Sequence, residues 1–383
     1  MRNIGIRKYV NSLILIVFSF LVVFYYVLPS KMSVMLTLIV MVLSIRHIRS
    51  YIPLVWYGLF VIYIFFISSI RENQYAYLSS SCNVFLILLA FSFIIQTSDD
   101  KKLFIISTGI CGGLLSLYLY VFYGSYIGVG RFGEDLPGIN IQSSIMLGYI
   151  FLYVSCLQIW TIFETKKIWV KSLFFLLLLF TLYLTIFTGT RKALMLPILY
   201  YAFLLIKNNR KNKFKLLILL SMLLISIISI FTIFVAHDLI PEYQLERWIG
   251  LWSFFDSNAV RDDSSIERTQ LINQGLTLFF KKPVFGYGIE ATLYELGKHP
   301  HNNYITLLSF GGIIMFMLYY WIYIYIIKNS KKNITIDASI YFLILFVLSL
   351  SDLGTTSFNI MYFNICIALM FVPQNLIRDY EHR

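Results

Sequence analysis

The chain has 383 residues, 59% of them hydrophobic and 13% charged, with 31 Lys and Arg against 19 Asp and Glu. Its mean hydropathy is +0.77. A soluble domain carries about 25% charged residues, so this composition excludes an ordinary soluble enzyme and leaves too little polar sequence for a separate soluble domain. The formal charge of +12 could suit a nucleic-acid binder, but its placement argues for membrane topology instead.

Apolar runs close to 20 residues recur along the whole chain, matching a hydrocarbon core of roughly 30 Å. Lipid cannot satisfy open backbone groups, so such runs must be helical. The pattern predicts an all-α integral membrane protein, a single polytopic domain over 1–383, with about 12 spans. They fall near 9–28, 32–45, 51–70, 75–95, 103–123, 140–163, 168–187, 192–206, 216–236, 303–327, 335–351 and 355–373. The first run is too long for a cleavable signal peptide and lacks a small-residue cleavage site. The four cysteines, Cys82, Cys111, Cys156 and Cys366, stand singly in apolar surroundings and read as small buried hydrophobes.

With the N-terminus inside, the cytoplasmic loops hold most of the basic residues, among them Arg46, Arg49, Lys166, Lys167, Lys207, Lys211, Lys213, Lys331 and Lys332. The short loops decide orientation under the positive-inside rule, and both termini are expected in the cytoplasm. The basic excess is then a topology signal, and no nucleic-acid partner is expected.

Three external stretches interrupt the spans. Gly124 to Asn140 carries Arg131 beside Glu134 and Asp135, and its glycines and proline exclude a long regular helix. By itself it reads as a surface turn. Thr188-Gly189-Thr190-Arg191-Lys192 separates spans 7 and 8. Its Arg191 is equally a snorkelling boundary residue or, with two hydroxyls and a glycine, part of an oxyanion site. The third stretch is one large external loop between spans 9 and 10, at 237–302. It should open with an interfacial amphipathic helix bearing Trp248 and Trp252. A second helix should follow, capped by Ser264 or Ser265, with Ile266, Leu271, Leu276 and Leu278 on its apolar side. Pro283, Gly286 and Gly288 should end it before His299-Pro300-His301-Asn302-Asn303-Tyr304 leads into span 10. A structureless loop of this length is uncommon without a function.

The chemistry these residues support is external. His301, at the mouth of a helix, suits a general base, and His299 is an alternative two residues earlier. Arg131, Arg191 and Arg268 are cations fitted to bidentate binding of phosphate; Arg261 adds another in the loop, mixed with acids. Asp262, Asp263 and Glu267 lack a His or Cys to complete a ligand set, and no glycine-rich nucleotide loop is present. Neither metal nor cofactor is expected, and external chemistry without a nucleotide points to a lipid-activated substrate.

In order, the motifs are Thr188-Gly189-Thr190-Arg191, Ser265-Ile266-Glu267-Arg268, Lys282-Pro283-Val284-Phe285-Gly286-Tyr287-Gly288, and His301-Asn302-Asn303-Tyr304 before a glycine-containing span. This order resembles the superfamily of O-antigen ligases and O-antigen or capsular polysaccharide polymerases, the WaaL and Wzy types, most strongly from about Gly189 to Tyr320. The resemblance implies a GT-C-like membrane glycosyltransferase of the bacterial cytoplasmic membrane, acting on undecaprenyl-pyrophosphate-linked glycans amid membrane lipid. A chain-length regulator and a flippase of the same pathway would be its partners. Carried over, Arg191 and Arg268 would hold the pyrophosphate and His301 would activate the acceptor hydroxyl. Arg131, Arg261, His299, Asn302 and Tyr304 would line the substrate site. The ligase pattern places Gly312 correctly after His301-Asn302 but does not allow Met315 at its last position, which favours the polymerase side.

Two other classes compete. A flippase for lipid-linked oligosaccharide would also be polytopic, but it should carry ionisable or broken-helix sites near mid-bilayer. Lys171, Asp337 and Asp352 instead fall near span ends. A non-catalytic assembly protein of the same export pathway is the other.

Overall fold

The computed structural model describes residues 2–44, 51–71, 76–128, 130–134, 136–139, 141, 143–209, 211–215, 217–219, 221–222, 229, 232, 263–330, 352–353 and 358–372. Most of expected span 9, all of expected span 11, the helix with Trp248 and Trp252, Asp337 and Arg261 lie outside the described residues. The described helices are α1 (Arg2–Phe24), α2 (Ser30–Leu43), α3 (Ile52–Arg71), α4 (Ala76–Ile94), α5 (Ser98–Tyr123) and α6 (Ser144–Glu164). They continue with α7 (Ile168–Phe187), α8 (Arg191–Asn208), α9 (Asp263–Lys281), α10 (Ile289–Leu296), α11 (Asn303–Ser330) and α12 (Met361–Met370). Strand-like pairing among the described residues amounts to one bridge, Ile127 with Gly130.

Six of the described helices are long and apolar enough to cross a membrane: α3 to α7, each over most of its length, and Asn303–Lys328 of α11. The chain is therefore a multi-pass, all-helical membrane protein. The helix α8 coincides with the expected eighth span, with Arg191 and Lys192 at one end and Lys207 near the other. The helices α2 and α12 are apolar but shorter.

Chain contacts divide the molecule into two compact units. One comprises Met1–Phe18, Val34–Leu103 and Asp262–Arg383; the other comprises Ser19–Ser33 and Phe104–Arg261.

In the second unit, α6 packs on both α7 and α8. Every residue of α6 from Leu147 to Thr161 is buried. That follows from a sequence apolar on all sides, which gives a central helix rather than a peripheral one. Without a hydrophobic driving force in lipid, such helices associate through close packing at small residues. A β-carbon on Gly113 of α5 would lie 2.6 Å from Leu177 of α7. Gln158 of α6 donates to the Gly109 carbonyl at 3.0 Å, so a buried amide finds an acceptor where the helices approach. The start of α5, which belongs to the first unit, is set by a reciprocal cap: Asp100 N donates to Thr97 Oγ1, and Thr97 N donates to Asp100 Oδ2, each at 3.1 Å.

In the first unit, α3 packs on α4 and α11, and α12 packs on α4. Three buried aromatic side chains of α3 carry polar tips that reach across. Trp56 Nε1 donates to the Tyr319 carbonyl, Tyr57 to that of Phe358 and Tyr63 to that of Gly311, each at 2.8 Å. Each bond contributes about 1 kcal/mol net, and more is lost if one partner is orphaned.

Three expectations need correction. The polar helix of the loop begins at Asp263, so Ser264 and Ser265 fall within its first turn rather than at its cap. Cys82 is exposed on α4, unlike the buried Cys111, Cys156 and Cys366; the apolar run around it does not imply burial because a span has a lipid face. The apolar side of α9 is narrower than expected: Leu271 and Leu278 are buried, Leu276 is half-buried and Ile266 is exposed.

Candidate active site

In the first unit, α11 is interrupted at Gly312, whose φ of 67° and ψ of −164° are non-helical. Broken backbone at membrane depth survives only where protein satisfies the freed groups. Here the loop from Pro283 to Gly288 does so. Tyr287 N donates to the Ser309 carbonyl at 2.8 Å and Gly288 N to that of Phe310 at 2.9 Å. In return, Ile313 N donates to the Pro283 carbonyl at 2.9 Å. Gly286, with φ 67°, lies against the break itself. The basic-proline-glycine motif and the glycines of span 10 are thus two halves of one backbone joint. That joint ties the loop after α9 to α11, the helix that the histidines precede.

Just before α11, Asn302 Oδ1 accepts from Ile305 N at 3.2 Å and caps the helix. Its amide donates to the Leu353 carbonyl at 3.4 Å. Asn303 donates to the Tyr320 hydroxyl oxygen at 2.9 Å, and its Oδ1 accepts from Phe358 N at 3.3 Å. The Tyr320 hydroxyl donates to Asp352 Oδ2 at 2.6 Å. Asp352 has no exposure; its carboxyl group is hydrogen-bonded by Tyr320 and Asn303, as a buried polar group requires. The Tyr304 ring stacks on that of Tyr320 at 5.0 Å.

His301 itself is exposed. Its φ of 52° is the one positive value among the described non-glycine residues, a conformation that costs energy and clusters at functional sites. His299 is half-buried, with Nε2 hydrogen-bonded to the Tyr77 hydroxyl. Burial, and then the charge of His301, push its pKa below the usual histidine value.

The helix α9 packs on α10 and α11 and presents Arg268 to solvent. Its neighbour Glu267 pairs with Lys298 at 2.6 Å. The Glu267 carboxyl is held below its ordinary range first by that hydrogen bond, then by the Lys298 charge, with smaller contributions from His301 and Arg268. One exposed carboxylate therefore senses Lys298, His301 and Arg268 together. Lys298 carried no signal in the sequence, because its pairing with Glu267 joins segments 31 residues apart. Tyr77 was missed for the same reason: it sits on α4, far along the chain from His299.

In the second unit, Arg131 and the Arg191 motif lie at one end. Phe132 N donates to the Phe187 carbonyl at 2.9 Å. Gly189, with φ 64°, follows the end of α7 and suits the left-handed turn that terminates a helix. Thr188 Oγ1 accepts from Thr190 N at 3.2 Å, and Arg191 opens α8. The N-terminus of a helix favours anions, so this cation and its helix end reinforce one another. Arg131 lies 3.6 Å from Glu134, and Glu134 accepts from Ser144 at 2.8 Å.

Residues 173–320 match the model of the family described as O-antigen ligase. The match is consistent with the superfamily of O-antigen ligases and polysaccharide polymerases. The matched stretch includes most of α7, all of α8, α9 and α10 and the larger part of α11, and with them Arg191, Arg268, His299, His301, Asn302 and Tyr304. Arg131, Tyr77 and Asp352 fall outside it. The matched family is one of glycosyl-transferring enzymes. No curated protein sequence matches it.

Proposed function

We propose that the protein is a polysaccharide polymerase. It transfers a growing glycan from undecaprenyl pyrophosphate to a lipid-linked repeat unit at the outer face of the bacterial cytoplasmic membrane. About 12 spans in a GT-C-like arrangement, with both termini inside, would put 237–302 outside, where the repeat units are joined. The observation that carries this reading is that Arg268 and His301 are both exposed on segments whose helices, α9 and α11, pack together.

In the reaction, the acceptor hydroxyl attacks the donor's anomeric carbon. The C–O bond to pyrophosphate breaks and the electron pair leaves with the phosphate. His301 takes the acceptor proton. Arg268 and Arg191 stabilise charge growing on the leaving group. Arg131, Arg261, Asn302 and Tyr304 complete the substrate site, with His299 behind His301. A flippase and a chain-length regulator are the expected partners.

A second reading, ligation of the finished glycan to lipid A-core, is favoured by the description of the matched family. Met315, at the position where the ligase pattern ends, favours the polymerase. Its side chain is fully buried. The surface glycan of a strain lacking the protein separates the two. Single repeats on the normal terminal acceptor mean polymerase; polymer retained on the lipid carrier means ligase. Complementation with Arg268→Ala or His301→Ala should fail although both variants insert. An unchanged ladder in both variants rejects the site.

A further inference from the structure

The segment His299-Pro300-His301-Asn302-Asn303 is pinned on both sides of His301. On the C-terminal side, Asn302 and Asn303 are held by the Leu353 carbonyl, the Phe358 amide and the Tyr320–Asp352 pair. On the N-terminal side, Pro300 is buried and His299 is bonded to Tyr77 of α4. The rings of Tyr77 and His299 meet edge to face with centroids 5.6 Å apart, and Phe310 lies 6.0 Å from Tyr77 and 6.1 Å from His299. Between these anchors, His301 alone is exposed and takes the strained φ.

The surroundings of His299 support a neutral ring. An imidazolium donates through both nitrogens. Here Nε2 faces a phenol, and Nδ1 is buried without a hydrogen-bond partner among the described residues. A charge there would go uncompensated. A neutral imidazole bonded to a phenol needs no counter-ion and packs against rings, so it can act as a fixed post.

We propose that Tyr77 and His299 form a neutral hydrogen-bonded pair that holds His301 in its left-handed conformation. His301 is then the histidine presented to substrate, and Tyr77 and His299 are positioning residues. The role in catalysis rests on the reading above; the pair itself does not. A strained backbone persists where its surroundings over-determine it, and His301 has an anchor on each side. Removing the Tyr77 hydroxyl releases one anchor without opening a large cavity.

The test uses the full chain in liposomes with carbon- and nitrogen-labelled histidine. The protein has 5 histidines, so His299→Asn and His301→Ala identify the two signals of interest. At about pH 5.5, where an ordinary histidine is mostly protonated, the His299 ring should remain neutral. In Tyr77→Phe, its nitrogen signals should move and the His301 backbone carbons should lose their left-handed shifts. A His299 ring charged at that pH, or His301 carbons unmoved in Tyr77→Phe, overturns the pair. Turnover is read per folded molecule on lipid-linked repeat units extracted from the source cells. Tyr77→Phe should lower kcat on the order of tenfold, within what a misplaced reacting group costs, with KM nearly unchanged. Unchanged turnover despite moved His301 signals overturns the positioning role. A wild-type chain that transfers no glycan overturns the functional reading, and with it the role given to His301, while the spectrum still decides the pair.

Discussion

Gly286 and Gly312 approach so closely that a β-carbon on either would lie 2.5–2.6 Å from the amide nitrogen of the other. Both have φ near 67°. Two motifs some two dozen residues apart therefore form one joint, and neither glycine has a substitute with a side chain.

Gly286→Ala and Gly312→Ala should each cost at least about 1–3 kcal/mol from the backbone strain alone, before the steric overlap is counted. Thermal unfolding in detergent, followed by size-exclusion fluorescence, measures this. Gly130→Ala is the control: nothing lies within 4 Å of its added carbon, and its unfolding temperature should match wild type. Equal stability in all three variants would contradict the joint.

Asp352 is fully buried and accepts from Tyr320. Asp352→Ala leaves the Tyr320 hydroxyl without its acceptor, at a cost of about 1–3 kcal/mol. Combining it with Tyr320→Phe should recover part of that loss, because the orphaned hydroxyl is gone. A double variant with the summed loss of the two singles would show that the two side chains are not coupled.

The pKa of His299 is depressed by burial and by His301. Below the ordinary histidine value of about 6.5, the unfolded chain then binds more protons than the folded one, so stability rises with pH in that range. The contribution of the neutral ring is complete above about 6.5 and is lost as pH falls through the native value. The stability advantage of wild type over His299→Asn should therefore shrink between about pH 8 and pH 5. An advantage that grows on acidification would contradict a buried neutral ring.

In the second unit, a β-carbon on Gly148 would lie 2.6 Å from Thr190 Cβ. Gly148→Ala should push the Thr190–Arg191 turn outward while α6 stays folded. If Arg191 holds the pyrophosphate, the variant should raise KM for the lipid-linked donor more than it lowers the unfolding temperature. Chromatography of the glycan products at graded donor concentrations reads this; wild-type KM would argue against Arg191 at that site.

Hydropathy alone determined that the chain is helical and crosses a membrane repeatedly, because lipid leaves the backbone no other way to satisfy its polar groups. The order of short motifs was enough to indicate the superfamily and to single out Arg191, Arg268 and His301. It could not say what each motif does. Asn302 serves as a cap, and Gly286 and Gly312 form a backbone joint, since these roles depend on partners far along the chain. The distinction between His299 and His301 was likewise invisible, because two histidines separated by one proline have the same local chemistry. Only the tertiary structure brings Tyr77 to one and leaves the other exposed in a left-handed conformation. The break in α11 was hidden for a related reason: hydropathy reports how apolar a span is, not whether its hydrogen bonds run within the helix or out to a neighbouring loop.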